Sequence, residues 1–170
     1  LLARNISLAL QFELENKNPR HPELLHYFDP LRKQGGDNAD ALYVGAPVGG
    51  RNSYRIAGHR GSARYFAVTV LEDGETPWGG RVVGTLFGPD LEVDADGHFE
   101  LFLSPEEQPG NWIRTTPETY RVTFRQFFAD WETETPMEAG IECLTSGPEP
   151  PPVFSLALLS EGLTETARWL

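Results

Sequence analysis

The sequence holds a single cysteine, Cys143, which excludes an internal disulfide framework and any cysteine-built zinc cluster. No apolar run reaches the roughly 18 residues that a transmembrane helix needs, so membrane insertion is not expected. Lysine is scarce: only Lys17 and Lys33 occur, and the other twelve basic residues are arginines, which suit planar, bidentate pairing with carboxylates. Positive charge is short overall, with 14 basic against 25 acidic residues and a net charge of −11. That argues against nucleic acid as a partner, because phosphate neutralisation needs a basic face. The familiar catalytic signatures are also missing: there is no G-x-S-x-G elbow, P-loop, G-x-G-x-x-G or H-E-x-x-H. The first residue is leucine, and neither a basic n-region nor a small-residue cleavage site precedes the first apolar stretch. The expectation is a piece of a longer protein whose start is unseen, soluble, with its compartment open and the cytoplasm slightly favoured.

What is present fits a compact fold. Hydrophobic residues make up 39% of the chain and aromatic residues 11%, while 17 glycines and 14 prolines call for many turns and short strands. Charge is unevenly spread. Residues 1–70 carry nine basic and six acidic groups, and residues 71–170 carry five and nineteen, a solvated acidic half or an acidic docking face.

Leu2, Ile6, Leu10 and Leu14 recur every four residues, one stripe of an N-terminal amphipathic helix. Residues 23–28 can form a short helical turn. From residue 41 the period changes to two, giving strands at 41–44, 53–57, 64–71 and 82–87. Leu91 and Val93 are then expected to pair with Phe99, Leu101 and Leu103 across the turn Asp94-Ala95-Asp96-Gly97. A long strand at 119–128 sets Tyr120, Val122, Phe124 and Phe128 on one face and Arg121, Thr123 and Arg125 on the other. A last strand covers 139–144. Beyond a proline-rich linker, Leu156, Leu159, Leu163, Ala167 and Leu170 trace a second helical stripe. The reading is mainly β: an antiparallel β-sandwich with short helices at both ends, divided into a helical segment at 1–34, a sandwich at 35–146, and a linker with a helix at 147–170.

Asp94, Asp96 and Gly97 could begin a calcium loop, but Leu103 stands where the bidentate glutamate belongs, so a tight turn explains them. The four histidines show no ligand spacing; no metal and no cofactor are implied. Cys143 alternates with Ile141 and reads as a buried thiol. Three polar groups remain. Asp37, Asn38 and Asp40 lead into Tyr43, either as Asx turns or as part of a pocket in which Asp37, Asp40 and Tyr43 are the candidate catalytic groups. Asn111 and Trp112 enter a strand together. Arg125 sits mid-strand among aromatics and needs an acidic or carbonyl partner if buried, Asp40 being one choice. Asn38, Asn111, Trp112 and Arg125 are the candidate ligand-binding residues.

These same segments resemble the bacterial domain of unknown function 1214 family. Its members carry Asn-Pro-Asp and then a tyrosine at a strand start, a later Gly-Asn-Trp, and an arginine near aromatics. The counterparts are Asn38, Asp40 and Tyr43, then Gly110, Asn111 and Trp112, then Arg125 before Phe127, with Ala39 in place of the usual proline. The run 54–58 is also similar to the family's first hairpin, and the likeness extends over about residues 35–142. It implies a sandwich of jelly-roll character, joined to helical segments in a longer bacterial protein, and leaves the biochemical role open. Three functions compete on the residues. The first is a small-molecule-binding or accessory module, and the second an enzyme using a carboxylate/Tyr/Asn/Arg pocket. The third is a structural domain packed on other parts of a longer chain or on another subunit.

Overall fold

Strict alternation along one nine-residue strand organises the molecule. In Thr119–Phe127, Val122, Phe124 and Gln126 are buried on one side while Arg121, Thr123 and Arg125 take the other. The computed structural model describes residues 2–28, 38–74, 79–145, 147, 150–151 and 153–169. Among these it contains α1 (Leu2–Leu10), one π-helical turn (Gln11–Glu15), β1 (Leu25–Phe28), β2 (Ala41–Pro47), β3 (Tyr54–His59), β4 (Tyr65–Glu72) and β5 (Val82–Phe87). The chain continues with a 3-10 turn (Gly88–Asp90), β6 (His98–Ser104), β7 (Asn111–Arg114), β8 (Thr119–Phe127), β9 (Glu138–Cys143) and α2 (Leu156–Ala167).

Two sheets face each other. One has the order β1-β2-β8-β4-β5, antiparallel throughout, and the other the order β7-β6-β3-β9. The second is mixed, because β7 runs parallel to β6. Between them Val44, Phe66, Val68, Val70, Val122 and Phe124 of the first sheet meet Tyr54, Ile56, Phe99, Leu101 and Leu103 of the second in one core. Burying each such side chain contributes about 1.5–3 kcal/mol, which is how a chain with few local helices holds a sandwich together. The expected mainly β sandwich with terminal helices is therefore the observed fold.

Three local expectations are corrected. Residues 25–28 form strand β1 and not a helical turn, since pairing with β2 satisfies their backbone and places Tyr27 on the sheet. Leu91 is buried in the core but Val93 is exposed and neither belongs to a strand. The turn remains, with the Asp94 carboxylate accepting from the amides of Asp96 and His98 at 2.9 Å. The helices also rotate relative to their apolar stripes. α1 buries Leu8 and Ala9 while leaving Leu2 outside, and α2 buries Gly162 and Thr166 while Leu156 and Leu163 stay exposed. For α2 the reason is steric: a Cβ at Gly162 would collide with Leu14 of the π-helical turn, so α2 approaches that turn through the glycine.

Tyr54 fastens the N-terminal segment to the sandwich. Its fully buried hydroxyl accepts from the Gly49 amide at 2.6 Å and from Asn52 Nδ2 at 3.1 Å, and donates to the Pro19 carbonyl at 2.8 Å. Tyr54→Phe strands a backbone donor and an acceptor together. The expected loss is about 1–3 kcal/mol by urea unfolding; an unchanged midpoint would show that water replaces the hydroxyl.

Candidate functional site

The outer face of the five-stranded sheet carries a trough with β8 as its floor. Thr123 has Gly45 of β2 on one side and Thr69 of β4 on the other; Arg125 lies between Tyr43 and Ala67. Small neighbours keep the floor low. Tyr27, Phe28 and Tyr43 rise along one side, with Phe28 and Tyr43 edge to face at 5.6 Å, and Leu71 and Val82 form the other. Arg121 and Arg125 stand at the ends, and the enclosed volume is about 290 Å³.

The two arginines differ. Arg121 is buried in an aromatic cage, its guanidinium carbon 3.9 Å from the Phe12 ring centre, 5.0 Å from that of Tyr120 and 5.4 Å from that of Tyr27. Each such contact is favourable once water is excluded. Arg125 has no comparable partner. Its buried Nε, like that of Arg121, has no hydrogen bond, and among the described residues no ion pair reaches it. Leaving a guanidinium donor desolvated and unmatched costs free energy, so the position favours an incoming acceptor. None of the described residues lining the trough is acidic.

A larger cleft, about 490 Å³, opens on the other side of Arg121, between the helices and the sheet end. Its charges are largely matched internally: Lys17 pairs with Glu13 at 3.8 Å and with Glu161 at 3.0 Å, and Arg168 with Glu165 at 2.7 Å. Trp169 closes it, tilted on Phe12 at 5.1 Å and donating through its indole nitrogen to Glu13 Oε1 at 3.2 Å.

The motif residues separate onto different parts of the fold. Tyr43 and Arg125 are cross-strand neighbours in the trough. Asn38 is exposed, and its side chain accepts from the Asp40 amide at 2.9 Å in an Asx turn. Asp40 is exposed and makes no ion pair with Arg125. Asp37 lies outside the described residues. Asn111 belongs to the opposite sheet, where it is buried and saturated by backbone: Nδ2 donates to the carbonyls of Glu92 and Glu100 at 2.8 Å, and Oδ1 accepts from the Glu92 amide at 2.8 Å. Trp112, beside it, donates to Ser104 Oγ at 3.0 Å and lies 5.2 Å under Arg114. Asp40, Asn111 and Arg125 are thus not gathered in one pocket. Sequence reading did not select Arg121, Tyr27, Thr123 and Thr69 for the site; the β8 alternation was the signal available for Arg121 and Thr123.

The sequence matches the family described as Protein of unknown function (DUF1214) over residues 39–130, which includes Tyr43, Asn111, Trp112, Arg121 and Arg125. The chain belongs to this family. The crystal structure of an uncharacterised protein from Burkholderia cenocepacia is similar over 99% of this chain, with 35% identity and a TM-score of 0.89. The chain spans 47% of that protein's length. The VPA0106 protein from Vibrio parahaemolyticus is more distant, at 14% identity and a TM-score of 0.43 over 75% of this chain and 31% of its own. No curated protein matches. Among the described residues no helix is long and apolar enough to cross a membrane. DUF1214 is thus a fold and family assignment for this chain without an attached chemistry, and the site must be read from its own groups.

Burial pushes the Tyr27 phenol up to about 12, the Arg121 guanidinium opposing the rise, and burial likewise pushes Tyr54 up to about 12. Unfolded, both titrate near 10.0. Below that pH both states hold the proton and these groups leave stability flat. As pH climbs from about 10 to 12 the unfolded chain sheds protons that the folded chain retains, so stability falls. The expected result is alkaline unfolding coincident with the appearance of tyrosinate absorbance from these two phenols. Their ionisation near pH 10 in a still folded chain would contradict the burial argument.

Proposed function

We propose that this DUF1214 domain is a small-molecule-binding module that holds a small anion in the trough on the outer face of the five-stranded sheet. The observation that carries the reading is Arg125: a lining guanidinium with no aromatic cage and, among the described residues, no ion pair, its buried Nε unmatched, in a trough whose described lining contains no acidic side chain. Tyr43 and Thr123 supply neighbouring hydroxyls, and the described lining holds no carboxylate or imidazole to act as a base at neutral pH, which favours holding a molecule over converting it. The relative of twice the length makes an accessory role within a longer protein the natural setting.

A binding arginine kept without a partner costs stability in the empty protein, whereas a structural one contributes it. Arg125→Met, which keeps length and apolar contact, is therefore expected to leave unfolding free energy unchanged or raised by about 1 kcal/mol. The same variant is expected to lose the ligand-induced rise in Tm that small organic anions give the native chain. A bound ligand at a hundred times its Kd stabilises by about 2.7 kcal/mol, an effect well within reach of thermal denaturation. A loss of more than about 1 kcal/mol in the unliganded variant would make Arg125 a structural residue and remove the site.

A further inference from the structure

The chemistry of the trough narrows the ligand further, on the footing that the trough is the binding site. We infer that it takes an amphiphilic monoanion, a single carboxylate on an apolar body, with the carboxylate at Arg125 and the body lying along β8 toward Arg121. Three observations carry this. First, the two cationic positions differ in what covers them. The Nε of each is buried without a hydrogen bond, but Arg121 lies against Phe12, Tyr27 and Tyr120, while among the described residues no such ring contact and no ion pair reaches Arg125. Second, the walls between the two arginines are apolar or aromatic: Phe28, Tyr43, Leu71 and Val82. An inorganic anion would leave that surface wet and gain nothing from it, whereas an alkyl or aryl body gains about 25 cal/mol for each Å² it removes from water. Third, the trough is bounded. Arg121 and Arg125 are four residues apart on one strand, about 13 Å at the usual strand rise, and the caged Arg121 with Tyr27 closes the far end. The guanidinium fork then offers paired N–H donors to a carboxylate, which a halide cannot use; phosphate can use them too, so the apolar walls are what disfavour it.

The test is isothermal titration calorimetry on the full 170-residue chain with octanoate, acetate, inorganic phosphate, octylamine and the dicarboxylate suberate. Octanoate is expected to bind at one site, with acetate, phosphate and octylamine at least about tenfold weaker, since the first two lack the body and the third has the wrong charge. Arg125→Met is expected to weaken octanoate by about 10- to 100-fold, the range for a charge-assisted hydrogen bond, with the circular dichroism of the native chain. Should Arg125→Met fail to fold, Arg125→Lys carries the same test: it keeps the charge and loses the fork, so a several-fold loss is expected and unchanged affinity overturns the placement of the carboxylate. Acetate or phosphate equal to octanoate would overturn the amphiphile and leave the anion site standing. Suberate tenfold tighter than octanoate would overturn the single pole by showing that Arg121 is open to ligand. Octylamine equal to octanoate, or no binding by any anion, would overturn the anion site itself.

Discussion

Gly45→Ala is expected to lose roughly 3 kcal/mol of unfolding free energy, at the upper end of what overpacking costs. Gly45 lies in β2 opposite Thr123, and Tyr27 from β1 packs directly over it. A Cβ there would stand 2.4 Å from Tyr27 Oη, 2.7 Å from its Cε2 and 2.4 Å from the Val122 carbonyl oxygen. The carbonyl belongs to the neighbouring strand and cannot yield without opening the β2–β8 ladder. Tyr27 can yield only by leaving the sheet, which uncages Arg121 and removes the trough's side wall. One added carbon thus strikes the sheet and the site together. Urea unfolding measures the first effect and octanoate affinity the second. Gly140→Ala is the control, because a Cβ at Gly140 meets nothing within 4 Å and its midpoint should move little. A Gly45→Ala midpoint as mild as that of Gly140→Ala would mean that Tyr27 is not seated on the sheet.

What the sequence discloses about this site follows from the range of its interactions. Period-two alternation is local, so the assignment of Arg121, Thr123 and Arg125 to the face opposite Val122 and Phe124 is legible residue by residue. So is the turn at Asp94, where the carboxylate bonds its own loop. The cage around Arg121 is not legible, because Phe12 and Tyr27 come from more than ninety residues earlier and their arrival depends on how β1 joins β2. Asn111 shows the converse. Its place before a tryptophan suits a ligand contact as well as a structural one, and only the three backbone bonds to Glu92 and Glu100 reveal that its amide is spent holding β7 and the preceding loop. The buried face of α2 follows the same rule. Apolar spacing names a stripe that wants cover, but the Gly162 contact with Leu14 decided which side approached.

The two faces of β8 give the sharpest contrast available in adjacent residues. Phe124 is fully buried between the sheets and lies tilted against Phe66 with ring centres 5.9 Å apart. Phe124→Ala empties the middle of that layer, and neighbours held on both sides by sheet hydrogen bonds cannot collapse into the space, so about 3–5 kcal/mol should be lost. Against a total of about 5–15 kcal/mol for a domain of this size, the variant sits near the edge of folding. Arg125, one residue further along the same strand, points the other way into the trough, and its replacement by methionine is expected to be neutral or stabilising. A structural account of both residues requires both variants to unfold more easily; a division between core and site requires the losses to diverge by several kcal/mol. Measured in one urea series, with slopes equal to that of the native chain so that midpoints can be compared, the pair separates those accounts. Losses of similar size would return Arg125 to the scaffold.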